Sequence, residues 1–260
     1  MRSPNRTYDF NNDRIVAWMS AGATSAVAGH MALRDYPKEN IHLVYCETGS
    51  EHVTNEKFLT DCENWYDHPI ERIKNPKYHD IYDVFEARKF MKHIHGAPCT
   101  GELKKYMRRQ YEKFDDIQIF GFDAGEVDRA EKFIFFNPEV KLYAPLIEKG
   151  LTKDSCLGFL QDVGIELPFM YQPQKSGVPY GHNNCIGCVK GGMGYWNKIR
   201  IDFPEIFDKT AKLERKYGHS LLKDDTKGEI VYLDELDPKR GDFGKEPNMV
   251  CDMLCTLELK

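Results

Sequence analysis

The sequence predicts an α/β fold, a doubly wound and mainly parallel five-stranded sheet that carries a cysteine-bearing C-terminal lobe. Three observations predict it. Apolar runs alternate with helical patterns over residues 14–143, as repeated strand–helix units require. The leading unit over residues 14–33 reads as a buried strand, a turn of small residues and a helix. Small or polar turns then follow the first, second and fourth runs, which places three candidate binding turns at the carboxyl edge of one sheet.

Ile15 to Met19 form the first strand. The turn Ser20-Ala21-Gly22-Ala23-Thr24-Ser25 follows, and Ala26, Val27, Ala28, Met31, Ala32 and Leu33 fall at helical spacing. Backbone N–H groups at a helix start are unpaired, so an anion can sit against them. Small residues let a phosphate approach, and Ser20, Thr24 and Ser25 can donate hydroxyl hydrogen bonds. The same residues also suit an ordinary strand–helix turn with a Ser or Thr cap. Residues 40–46 read as the second strand, ending in a polar turn that contains Glu47, Thr48 and Gly49. A helix is expected near 55–66, a short third strand at 69–73, and helices near 79–90 and 101–114. Residues 117–122 give a fourth strand that runs into Gly121-Phe122-Asp123-Ala124-Gly125. A helix over 127–136 and a strand over 140–143 complete the sheet. This pattern suggests an α/β domain over 1–150 that carries the candidate phosphate turn, and a capping lobe over 151–260. In the lobe a helix at 152–163 starts on Thr152, residues 168–194 lack a period, and a helical pattern over 196–217 is interrupted by Pro204. A strand or loop anchor is expected at 230–233.

The chain has 260 residues, 41% of them hydrophobic and 30% charged, which suits a folded globular protein and argues against wholesale disorder. No apolar run approaches the roughly 18 residues that a membrane span needs, so no membrane is expected as a partner. Residues 1–13 are polar and lack the core of a secretion signal, so a cytoplasmic location is expected. A net charge of −5 gives no general attraction to nucleic acid. Eight cysteines in such a chain point to free thiols, metal ligation or redox chemistry rather than structural disulfides.

Cys185-Ile186-Gly187-Cys188 is the sharpest chemical feature, with Gly191-Gly192 behind it to let the backbone wrap a sulfur-held group. Two ligands are too few, because an iron–sulfur or zinc site takes three or four. The remaining pool is Cys46, Cys62, Cys99, Cys156, Cys251 and Cys255. Cys62 and Cys156 sit in apolar helical patterns and read as packing. Cys99 lies at a helix start, where the dipole would stabilise a thiolate. Cys251 and Cys255, four residues apart, could share a helix face or act as redox thiols. His52, His182 and His219 receive no role.

Taken together these segments resemble the phosphoadenosine phosphosulfate (PAPS) reductase family of the PP-loop, or adenine nucleotide α-hydrolase-like, superfamily. The matching residues are 20–25 as the phosphate loop, 44–51 as the second nucleotide turn, 99–109 with Lys104 and Lys105 as a cysteine-plus-basic segment, 121–129 as a Gly/Arg loop with Gly121 and Arg129, and 181–188 as the late Cys-x-x-Cys. They occur in the family's order over roughly residues 14–190. The resemblance implies an adenine nucleotide across the strand ends, whether PAPS, adenosine phosphosulfate or ATP, with Ser20, Ala21, Gly22, Thr24, Ser25, Glu47, Thr48, Gly49, Gly121 and Arg129 binding it. It also implies a [4Fe–4S] cluster on Cys99, Cys185 and Cys188, with zinc as the alternative occupant. Ala21 and Thr24 stand where the family's loop has Gly and Asp, which leaves Mg²⁺ an option only.

The leading reaction implied is thiol-dependent reduction of a phosphosulfate to sulfite. Cys255 or Cys251 would attack, Lys104 would neutralise substrate charge, and a thiol donor such as thioredoxin would discharge the product. The alternative is an ATP-dependent, adenylating sulfurtransferase acting on a nucleic acid or nucleobase, for which Lys104, Lys105, Arg108, Arg109 and Lys113 would form a basic face. That charge run equally suits a solvated helix surface. A non-catalytic nucleotide-binding module, favoured by Thr24 in place of Asp, is the third reading. A homo-oligomer is compatible with any of them.

Overall fold

A computed structural model of the chain describes residues 1–93, 96–224, 228–246, 249 and 251. Strand β1 (Ile15–Met19) is buried at every position, and its neighbours are β2 (Ile41–Glu47) on one side and β4 (Ile117–Ile119) on the other, both parallel to it. With β3 (Ile70–Lys74) and β5 (Lys141–Tyr143) added, the sheet is entirely parallel in the order β3-β2-β1-β4-β5. The order reverses at β1, so the crevice above its carboxyl end is the natural ligand position of an open α/β sheet. The fold class expected from the sequence is the one observed.

Helices α1 (Ala23–Asp35) and α2 (Thr54–Tyr66) bury Val27, Met31, Phe58 and Leu59 with Ile15, Ala17 and Leu43 in a core on one face of the sheet. The other face packs Val16, Trp18 and Val44 against Phe133 of α6 (Val127–Phe136). Between these units lie α3 (Ile81–Arg88), α4 (Pro98–Thr100) and α5 (Tyr106–Tyr111), with a π-helical turn over Gly101–Lys105 joining the last two. A short α7 (Pro145–Glu148) follows β5, and α8 (Lys153–Asp162) starts on Thr152, whose side chain accepts from the Ser155 N–H as the sequence suggested.

Beyond residue 162 the chain forms a third core. Trp196 and Ile199 of α9 (Met193–Asp202) and Phe207 and Leu213 of α10 (Pro204–Tyr217) pack there with Tyr82, Phe85 and Leu103 from the first half. Pro204 divides the pattern into two helices because it takes the first position of α10, where its missing N–H costs little. The anchor expected at 230–233 is in part a strand, since β7 (Glu229–Val231) pairs antiparallel with β6 (Leu222–Asp224). Cys62 and Cys156 lie in the first core, as packing. No helix among the described residues is long and apolar enough to cross a membrane.

Candidate nucleotide and thiol site

The turn after β1 is held from within by one hydroxyl. Ser25 Oγ accepts from the Ser20 N–H (3.1 Å), pairs with Ser20 Oγ (3.0 Å) and donates to the Gly22 carbonyl (2.9 Å). Ala21 has φ +53°, a left-handed conformation that costs a non-glycine residue about 1 kcal/mol. From the side, Gly121 leaves β4 so close that a Cβ there would stand 2.6 Å from the Ser25 nitrogen. Only a glycine permits that approach.

Above the turn is a cavity of about 290 Å³. Ser20, Gly22, Thr24, Ser25, Gly121, Arg129, Lys104 and Cys251, all singled out from the sequence, line it. Arg129 is ion-paired with Glu126 and lies over the Phe122 ring at 5.0 Å, so it serves the wall and a surface partner together. Ala21 does not line the cavity and instead offers its carbonyl to the Asn183 amide at 2.6 Å. Glu47 is turned to Lys74 (2.6 Å) at the sheet edge. Thr48 and Gly49 lie beneath the cysteine loop: Thr48 Oγ1 is 3.0 Å from Cys185 Sγ, and Gly49 takes φ +71° with its α-carbon against the His79 carbonyl. The second turn therefore supports the thiols, whereas the first and fourth face the cavity. Ser50 fastens the two together by accepting the Ile186 N–H at 2.9 Å.

Cys251 is near enough to Cys99, Cys185 and Cys188 to act on each electrostatically, as Cys188 is to Cys99, so thiols from three chain segments lie close together. Burial pushes the Cys99 and Cys185 thiols well up, and it raises Cys188 to about 11. The helix start thus does not leave Cys99 a stabilised thiolate, as the sequence suggested, because desolvation in the third core dominates. Cys251 lies 3.8 Å from Thr100 Oγ1, and it alone of the four lines the cavity among the described residues. Cys255 lies outside the described residues.

The π-turn places Lys104 beside this group. An extra residue per turn rotates the side chains that follow, a device frequent at functional sites. Burial opposes charge on Lys104, but Cys251, Cys185 and Glu51 more than offset it and hold the ammonium form. The same turn sends Arg108 into the core, 2% exposed and over the Phe133 ring, where it pairs with Glu112. Two of the five cations expected on a basic face are therefore committed elsewhere.

Four sulfurs around a half-buried lysine form a donor set that suits a thiolate-held group, since charge on them is tolerable there only beside a cation. As the side chains stand, no three His, Cys, Asp or Glu among the described residues are placed to hold a single metal ion.

The far wall was not legible in the sequence. Lys153, Tyr171, His182, Asn183 and Asn184 line the cavity from the aperiodic region and the start of α8. Lys153 donates to the Gly181 carbonyl, and Tyr171 is hydrogen-bonded to the Ala23 backbone at the head of α1. Burial, with Lys153 nearby, lowers the His182 pKa to about 4. The one available signal was the polar run Gly181-His182-Asn183-Asn184 directly before Cys185.

No protein-family profile and no curated protein matches the sequence. Solved structures similar to the chain include PAPS reductase from Candida auris in a phosphate complex, 10% identical over 59% of this chain and 74% of that one with a TM-score of 0.42. They also include the U34-tRNA thiolase NcsA from Methanococcus maripaludis with its [4Fe–4S] cluster, 17% identical over 94% of this chain and 80% of that one with a TM-score of 0.43.

Proposed function

We propose that the chain is an adenine-nucleotide-dependent enzyme of sulfur chemistry, and that its reaction is thiol-dependent reduction of a phosphosulfate to sulfite. The observation that carries this reading is the position of Cys251, which lines the cavity over the phosphate turn and also lies among Cys99, Cys185 and Cys188. The nucleotide phosphates would lie against the Ser20–Ser25 turn, with the helix start and the Thr24 hydroxyl as donors. The Ser20 and Ser25 hydroxyls, expected from the sequence to donate to a phosphate, donate within the turn instead, to Ser25 Oγ and the Gly22 carbonyl. Cys251 Sγ, as thiolate, attacks the sulfur of the phosphosulfate. The bond from that sulfur to the bridging phosphate oxygen breaks, an adenosine phosphate leaves, and an S-sulfocysteine remains. A second thiol, from a donor of the thioredoxin type, attacks Cys251 Sγ, forms a disulfide and releases sulfite, so thiols supply both electrons. Lys104 offsets negative charge beside the attacking sulfur.

Cys99, Cys185 and Cys188 would hold a [4Fe–4S] cluster, which when bound offers iron sites for sulfur and electrons. That arrangement favours a second reading, ATP-dependent sulfur transfer to a nucleic acid or nucleobase. In it ATP adenylates an oxygen of the acceptor and releases pyrophosphate. A persulfide loaded on Cys251 by a sulfane-sulfur donor attacks the carbon bearing that oxygen, and AMP leaves with the oxygen. A donor thiol then cleaves the S–S bond to leave the thiolated acceptor and a disulfide on Cys251, while Lys105, Arg109 and Lys113 contact the polynucleotide.

Anaerobic incubation with ³⁵S-labelled PAPS, adenosine phosphosulfate, or ATP with RNA, followed by separation of products, decides between them. Sulfite with an adenosine phosphate, lost in Cys251→Ser and retained in Cys255→Ser, is the expected result. Loss in Cys255→Ser alone would move the nucleophile. AMP and pyrophosphate formed only with RNA would establish the second reading, and nucleotide binding with no product would leave a non-catalytic module.

A further inference from the structure

On the cavity wall, His182 has a ring whose two nitrogens differ. Nδ1 accepts from the Asn184 backbone N–H at 3.3 Å, so in the neutral ring the proton belongs to Nε2. That Nε2 is buried and has no partner among the described residues, although a buried donor left unmet is costly. Its neighbour Asn183 is 7% exposed and donates twice, to the Ala21 carbonyl at 2.6 Å and to Asn55 Oδ1 at 2.9 Å. Asn183 thereby ties this loop to the left-handed residue of the phosphate turn. Its own Oδ1, also buried, is left without a donor. An unmet donor and an unmet acceptor thus belong to consecutive residues of a loop strapped to the turn.

We infer that His182 is a positioning residue of the nucleotide subsite, its Nε2–H donating to a phosphate oxygen opposite the Ser20–Ser25 turn, with Asn183 holding the turn at that distance. The ligand class is a nucleoside phosphate, and the assignment rests on the nucleotide reading above. It makes His182 matter for phosphate rather than for the nucleoside. A neutral donor also leaves the charge on the phosphate to Lys153, on the same wall, and to the helix start.

The experiment is titration of the full chain with ATP, ADP and adenosine, in wild type, His182→Ala and His182→Gln, with thermal melts to show that each is folded. The Gln amide nitrogen can replace Nε2–H. The expected result is a loss of roughly ten-fold or more in ATP and ADP affinity for the Ala variant, an adenosine affinity unchanged, and recovery to within about three-fold in the Gln variant. Equal losses for adenosine and ATP would make His182 a structural residue and overturn the inference, as would an Ala variant that binds ATP like wild type. Failure of the wild type to bind ATP, ADP and, in a parallel titration, PAPS would instead overturn the nucleotide reading.

Discussion

Ser25 takes part in three hydrogen bonds that no other side chain in the phosphate turn could make at once, and Gly121 presses on its backbone from the next strand. Gly121→Ala should therefore push the turn out of place. ATP affinity should fall by about ten-fold or more, with a fold cost of about 1–3 kcal/mol, read by calorimetric titration and by melting. Ser25→Ala removes the central hydroxyl and strands the Ser20 N–H, so it should weaken ATP at least as much and also cost about 1–3 kcal/mol of stability, read by the same two measurements. Both residues were singled out in the sequence as small or hydroxyl groups in turns at strand ends, although the turn of Ser25 equally suited an ordinary capped strand–helix junction. His182 and Asn183 were not. Their meaning comes from a contact with Ala21 across 162 residues of chain, and no local pattern encodes that contact.

At the scale of elements, strands and helices of the first 150 residues follow the apolar pattern because a sheet buried on both faces leaves little choice of register. The π-turn Gly101–Lys105 did not follow from the pattern. A helix was expected at 101–114, and the extra residue that sends Lys104 to the sulfurs and Arg108 to the core is a tertiary compromise. Helix α10 carries a comparable hidden device. Glu214 is fully buried and accepts the Leu221 and Leu233 N–H groups at 2.6 Å each, tying β6 and the segment after β7 to the helix. Burial raises its pKa to about 7. The folded state therefore holds this proton more tightly than the unfolded chain does. The contribution is full below about pH 4.5 and is lost as pH rises through 7. Melting of wild type against Glu214→Gln from pH 4.5 to 8 should show wild type losing ground across that window, and a constant difference would contradict it.

On the scale of the molecule, residues 170–236 share a core with residues 78–103, so thiols from the two halves of the chain come near one another beside the cavity over the phosphate turn. Anaerobic loading with iron and sulfide should accordingly raise the melting temperature and colour the protein brown, and Cys185→Ser should abolish both effects. A colourless protein that is stabilised by zinc instead would replace the cluster. The meeting of Cys99 with Cys185 and Cys188 was implied by the family resemblance, because strand alternation and the Cys-x-x-Cys spacing alone left the further ligands open. The choice of Cys251 as the sulfur that reaches the cavity was open in the sequence, because Cys251 and Cys255 differ there only by four positions. The adjacency of nucleotide and thiol is tested most directly by the alkylation rate of Cys251 in unloaded protein, followed by mass spectrometry with and without saturating ATP. The account predicts that ATP slows Cys251 by roughly five-fold or more while Cys62 and Cys156 stay unreactive throughout. ATP that binds and leaves the Cys251 rate unchanged would contradict it.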